Sequence, residues 1–189
     1  MILLLLASVA WAQDTATVGV VPRPLVGHPL LELRLGADVG GSEDPVPRPT
    51  ICAELRPLSR LGLEACGSGA GTLNQSTAPG IMHLRARVET LRLDRQALQG
   101  VLVVGAGVAE VQRTLDEGGL RFGQAEEGAV EAAGGEGSLS AQGRWWVHER
   151  TFVVVDANVG AAWIPGAPEA VGTRSPLVPF SGLTVGMGL

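Results

Sequence analysis

The sequence predicts an all-β protein, an eight-stranded antiparallel up-and-down barrel. Three observations carry that prediction. Apolar and polar residues alternate with period two in segment after segment, the pattern of strands with one apolar face. The connections between those segments alternate in length, long then short. The composition is rich in glycine, 27 of 189 residues, and poor in charge at 17%, against a usual ~25%. Lysine and tyrosine are absent, so all 14 basic residues are arginine. Long-helix proteins, coiled coils and disordered acidic tails are excluded by this composition. No apolar run reaches the ~20 residues of a spanning helix. A net charge of -5 argues against nucleic acid as a partner, because that ligand selects basic stripes.

The elements follow in order. Residues 2–12 form an apolar run too short to cross a bilayer as a helix, and it ends Ala10-Trp11-Ala12 before Gln13. This small-x-small ending fits a secretory cleavage site. We read 1–12 as a signal peptide truncated at its start, because a basic n-region is missing. Residues 13–28 are a Pro-containing lead-in, and 29–189 are the barrel domain.

Strands are expected at 29–40, 50–56, 60–70, 80–92, 97–112, 132–146, 151–163 and 176–189. The first is the cleanest: Leu31, Leu33, Leu35, Ala37 and Val39 share one face, and Glu32, Arg34 and Asp38 the other. In the second, Ile51, Ala53 and Leu55 oppose Cys52, Glu54 and Arg56; Pro47, Pro49 and Pro57 limit its length. The third sets Leu61, Leu63 and Ala65 against Gly62, Glu64 and Cys66. The fourth sets Met82, Leu84, Ala86 and Val88 against His83, Arg85, Arg87 and Glu89. The fifth is nearly all apolar or glycine, so its faces cannot be separated. In the sixth and seventh, Leu139, Ala141 and Trp145 oppose Ser140, Gln142 and Arg144, and Val153 to Trp163 oppose Asp156 and Asn158. The last alternates Leu183, Val185, Met187 and Leu189 with Gly182, Thr184, Gly186 and Gly188.

The connections are then 41–49, 57–59, 71–79, 93–96, 113–131, 147–150 and 164–175. Long ones all fall at one end of the meander and tight turns at the other. The long ones carry the Pro, Gly, Asp, Asn and Ser of exposed loops.

Alternation alone leaves the apolar face pointing inward, as in a soluble barrel or sandwich, or outward at lipid. The polar face holds both signs of charge, and the apolar face holds none of them. A mid-bilayer arginine there would cost about 2–4 kcal/mol. Together with the segregated long loops, this favours a transmembrane barrel. On these features the chain resembles the small eight-stranded outer-membrane β-barrels of Gram-negative bacteria, the class containing the OmpA transmembrane domain, OmpX and OmpW. The resemblance covers about 29–189 and lies in architecture. It implies outer-membrane lipid as the surrounding medium, insertion by the barrel-assembly machinery, a periplasmic lead-in and turns, and long loops outside. That family's last residue is usually aromatic, whereas here it is Leu189, and girdle aromatics are few: Trp145, Trp146, Phe152, Trp163 and Phe180.

An eight-stranded interior is filled by side chains. The expected interior charge network is Glu32, Arg34, Glu54, Arg56, Glu64, Arg85, Arg87, Glu89 and Asp156, with a gated ion path as the sharper alternative to a salt-bridged core. Cys52 and Cys66 lie opposite each other about Ser59, and a cross-strand disulfide and two buried thiols both stay open. Without a Cys-x-x-Cys pair, no metal site is expected. His28, His83 and His148 are the histidines. No His-x-Ser spacing places Ser68 or Ser76 with His83 as a lipid-modifying catalytic pair, so no catalytic residue and no cofactor is expected. Gly105-x-Gly107 lies in an apolar strand with no helix after it, so it is not a phosphate loop; it relieves crowding or marks a bend. The 113–131 loop is acidic through Asp116, Glu117, Glu126, Glu127 and Glu131 against Arg113 and Arg121. It is a solvated loop or a site for divalent cations or an unidentified outer partner. The expected role is structural, adhesive or loop-mediated binding. A secreted soluble barrel or sandwich with an apolar ligand is the alternative, and a lipid-modifying enzyme the third.

Overall fold

The structure is a computed structural model that describes residues 30–40, 46–67, 79–95, 97–113, 122–123 and 130–189. Its strands are β1 (Leu31–Val39), β2 (Arg48–Leu58), β3 (Leu61–Gly67), β4 (Gly80–Arg95), β5 (Leu98–Gln112), β6 (Glu131–His148), β7 (Thr151–Trp163) and β8 (Leu177–Gly188). Each pairs antiparallel with the next, and β1 pairs with β8, so the sheet closes into a barrel in sequence order. Tight turns at 59–60 and 149–150, and the short link from Arg95 to Leu98, join the three hairpins at one end. All three hairpins shift register, between Leu55 and Leu58, Glu89 and Leu91, and Trp146 and His148; the first and third shifts adjoin their turns, and five pairs follow the second.

Two expectations need correction. β2 is longer than 50–56 at both ends despite its prolines. Pro57 falls in the register shift, where a rung is already missing. Pro49 lies beyond the last β2–β3 pair among the described residues, Ile51–Gly67. The 164–175 connection is not all loop: it holds a short helix, α1 (Ala167–Val171). Pro168 opens it, Glu169 sits in its first turn, and Gly172 ends it with φ 76°, a left-handed cap that favours glycine.

The two faces of the wall are sorted opposite to a water-soluble barrel. Leu33 and Leu35 are 55% and 63% exposed on the outside. Leu84, Val104, Leu139, Val159, Leu183 and Val185 are also exposed there. Glu32, Arg34, Glu54, Arg56, Glu64, Arg87, Arg144 and Asp156 are buried inside. Trp145 is exposed toward the tight-turn end, and Trp163 is exposed toward the long-loop end. No helix among the described residues is long and apolar enough to cross a membrane; the strands present the apolar belt.

Inside, the contents are layered. At the long-loop end, Ala167, Ala170 and Val171 of α1 pack with Ile81, Val111, Ala132, Ile164 and Phe180 in a buried apolar cluster over the mouth. At the tight-turn end, Trp146, Phe152 and Val154 form a second cluster. Charged side chains fill the space between them.

Candidate functional site

The candidate site is the charged lumen. Its residues face inward because they occupy alternate positions of strands whose other positions are apolar. The structure places all nine expected network residues inside and buried.

Glu64 on β3 accepts from three guanidiniums. Arg34 from β1 and both Arg85 and Arg87 from β4 donate to it. Arg34 reaches two further strands, with Nη2 3.1 Å from Glu54 Oε2 and Nη1 2.8 Å from Asp156 Oδ2. Arg87 shares both of those acceptors, at 3.1 Å and 2.6 Å. Nearer the tight turns, Arg56 Nε lies 3.0 Å from Glu32 Oε1 and its Nη2 2.8 Å from Glu54 Oε1, while Nη1 pairs with Glu89.

The network is larger than the nine residues expected. Arg144 on β6 joins through Glu89 at 2.7 Å and Glu32 at 3.4 Å. Gln142 bridges, accepting from Arg144 Nη2 at 2.6 Å and donating to Asp156 Oδ2 at 2.7 Å. Both lie on the polar face that their alternation with Ala141, Gly143 and Trp145 defines. Above this layer, His83 Nδ1 pairs with Glu136, and the His83 ring lies against Phe180 with centroids 4.4 Å apart. Glu136 escaped notice because its neighbours are Gly135, Gly137 and Ser138, which show no alternation. His83 is thus tied to a carboxylate in the lumen; His28, Ser68 and Ser76 lie outside the described residues. His148 ends β6, exposed beside the turn.

One structural detail explains how Arg85 fits. Gly105 and Gly107 face inward beside Arg85: a Cβ on Gly105 would lie 3.3 Å from its Cδ, and one on Gly107 2.7 Å from its Cβ. Cys52 and Cys66 are cross-strand partners joined by a disulfide with Cα atoms 4.1 Å apart. Cys52, Cys66 and Glu64 bring their ligand atoms within 4.8 Å of one another. The sulfurs are spent in the bond and Glu64 is held by three guanidiniums, so the set does not suit a cation. Of the acidic loop, Arg113 and Glu131 are described, and Glu131 belongs to β6; Asp116, Glu117, Arg121, Glu126 and Glu127 lie outside the described residues.

Chemically, the arrangement is a cross-brace. Arginines on β1, β2, β4 and β6 each bond carboxylates on other strands. The branched, planar guanidinium suits that role better than an ammonium.

Comparison with known proteins agrees with the architecture. Neisserial surface protein A is matched with a TM-score of 0.53 at 10% identity, over 84% of this chain and 94% of that one. The fold is that of the small eight-stranded outer-membrane barrels. The N-terminal β-barrel domain of Pseudomonas aeruginosa OprF gives a TM-score of 0.47 at 11% identity, over 87% of this chain and all of that one. No family model and no curated protein matches the sequence.

Proposed function

We propose that this protein is an integral outer-membrane β-barrel with a closed lumen, serving a structural, adhesive or loop-mediated binding role without catalysis. One observation carries the reading: leucine and valine clothe the outside while buried arginine–carboxylate pairs fill the inside. In water that arrangement would expose a continuous apolar belt, which soluble monomers avoid. In a bilayer it removes the belt from water and satisfies every strand by closure.

The lumen serves as internal scaffolding. Paired ions in an enclosed space stabilise only as a set, since removing one partner strands the other. The long loops and α1 then form the outward-facing surface. Residues 1–12 direct export, and the barrel-assembly machinery inserts the chain.

Membrane fractionation combined with gel mobility before and after boiling tests this. The chain is expected in the outer-membrane fraction, with a mobility that changes on boiling. Recovery in the soluble fraction with identical mobility in both lanes overturns the reading.

A further inference from the structure

Glu32, Glu54 and Glu64 form one row across β1, β2 and β3, each the direct cross-strand partner of the next and all three buried inside. Like charges directly opposite one another destabilise a strand pair. Glu64 is neutralised by Arg34 of β1 and by Arg85 and Arg87 of β4, all three from outside the β2–β3 hairpin. Until those strands are in place, Glu54 and Glu64 face each other with Arg56 as the hairpin's own partner for Glu54. The turn does not hold the register by itself, because a shift falls between Leu55 and Leu58 beside residues 59–60. A slip of one residue would turn both carboxylates to the lipid face. At the next inward position from the two carboxylates stands the Cys52–Cys66 bond.

We propose that the Cys52–Cys66 bond is made while the chain is still open, by a disulfide oxidant, and that it pins the β2–β3 register until the arginines of β1 and β4 arrive. The closed barrel shields the sulfurs. Cys52 and Cys66 are 3% and 6% exposed, flanked across the strands by Arg34 and His83. The α1 cluster lies over the mouth, and the Trp146–Phe152 cluster fills the other end. Thiol–disulfide exchange needs more room than that. One cysteine thiolate attacks a sulfur of the oxidant's disulfide; that bond breaks, one thiolate leaves, and a mixed disulfide forms. The second cysteine thiolate attacks the cysteine sulfur of the mixed disulfide, which makes the Cys52–Cys66 bond and expels the oxidant's other sulfur. Two electrons pass to the oxidant, which ends as two thiols carrying the two protons. A mixed disulfide of that bulk does not fit a lumen already filled by side chains. The reaction that supplies the chain for closure is therefore a thiol oxidation, placed ahead of the β1–β8 pairing.

The order of oxidation and closure is measured on the full chain. Reduced chain in urea is diluted into lipid vesicles with oxidised glutathione, quenched at intervals with a thiol-alkylating reagent, and run on gels without boiling. Molecules with the mobility of the closed barrel are expected to carry the bond from their first appearance. A reduced closed barrel that later becomes oxidised overturns the proposal. Chain closed under reductant and then freed of it is expected to oxidise at least ~10-fold more slowly than the same chain in urea. Equal rates overturn the proposal as well. The pin is read in Cys52→Ala with Cys66→Ala, which is expected to close at least ~10-fold more slowly while its unfolding rate stays within ~2-fold of the unaltered protein. An unchanged closing rate with faster unfolding makes the bond a late staple and overturns the pin. Where the reduced chain or the double variant does not close, the alkylation order decides alone.

Discussion

Arg34 on β1 and Asp156 on β7 stand 122 residues apart in sequence, yet Nη1 of one donates to Oδ2 of the other at 2.8 Å over the intervening β8. Arg87 of β4 meets the same Asp156 oxygen from another direction at 2.6 Å. A single carboxylate thus ties three strands. Replacing it with Asp156→Ala takes one carboxylate from two buried guanidiniums that keep Glu54 and Glu64, and is expected to cost up to about 3–5 kcal/mol. The double variant Arg34→Met with Asp156→Leu is expected to cost less than the sum of its single variants, because the two sites are coupled. Urea unfolding in lipid vesicles, followed by gel mobility, measures both; strict additivity would remove the coupling.

The lumen has barriers in series: the α1 cluster, the arginine–carboxylate layer and the Trp146–Phe152 cluster. Refolded protein in planar bilayers is expected to show no steady ohmic conductance. Replacing residues 167–171 with a glycine–serine linker, alone or with Arg34→Ala and Arg87→Ala, is expected to leave it closed while the Trp146–Phe152 cluster remains; adding Trp146→Ala and Phe152→Ala is expected to open it. Steady conductance of the unaltered protein defeats the closed-lumen reading.

Cys52 and Cys66 are 3% and 6% exposed and lie 14 residues apart. Unreduced protein is expected to have no alkylatable thiol, and reductant is expected to release both only when denaturant is added. Cys52→Ser with Cys66→Ser should cost on the order of 3 kcal/mol by chain-entropy arithmetic for a loop of this size. Two thiols that label in native, unreduced protein would count against the bond.

Lipid exposure of the wall can be read from paired substitutions. Leu84→Arg on the outer belt is expected to cost about 2–4 kcal/mol. Gly137→Ala, whose Cβ meets nothing within 4 Å, should be close to neutral. Gly186→Ala should prevent closure, since its Cβ would lie 1.9 Å from the Leu33 carbonyl oxygen. Refolding yield and urea midpoint of the three variants check the order; an innocuous Leu84→Arg would argue against lipid on that face.

Strands such as 31–39 and 82–90 were legible because charged or polar residues alternate with apolar ones almost throughout, leaving one register. Strand β5 was not, for a physical reason. Its inward positions are Val101, Val103, Gly105 and Gly107, because arginines from β4 lie across the glycines and need no partner from that wall. The short helix was hidden for the opposite reason. Pro165-Gly166-Ala167-Pro168 reads as loop punctuation, and only burial of Ala167, Ala170 and Val171 against the mouth makes a helix of the residues that follow. Within the lumen, the charged members were readable one by one from alternation. Contacts between adjacent strands, such as Arg85 and Arg87 with Glu64, follow from the meander; those across the barrel do not, since they depend on curvature that brings non-adjacent strands together.

The β1–β8 pairing, running from Glu32–Gly188 to Val39–Ser181, gives the ring a seam between the segments farthest apart in the chain. Hairpins join strands close in sequence, but the seam needs both ends of the barrel domain, and until it closes both flanking strands are bare templates for other chains. Assembly of this protein is therefore limited by one late, long-range event, and anything that shields those two strands during the wait controls its yield.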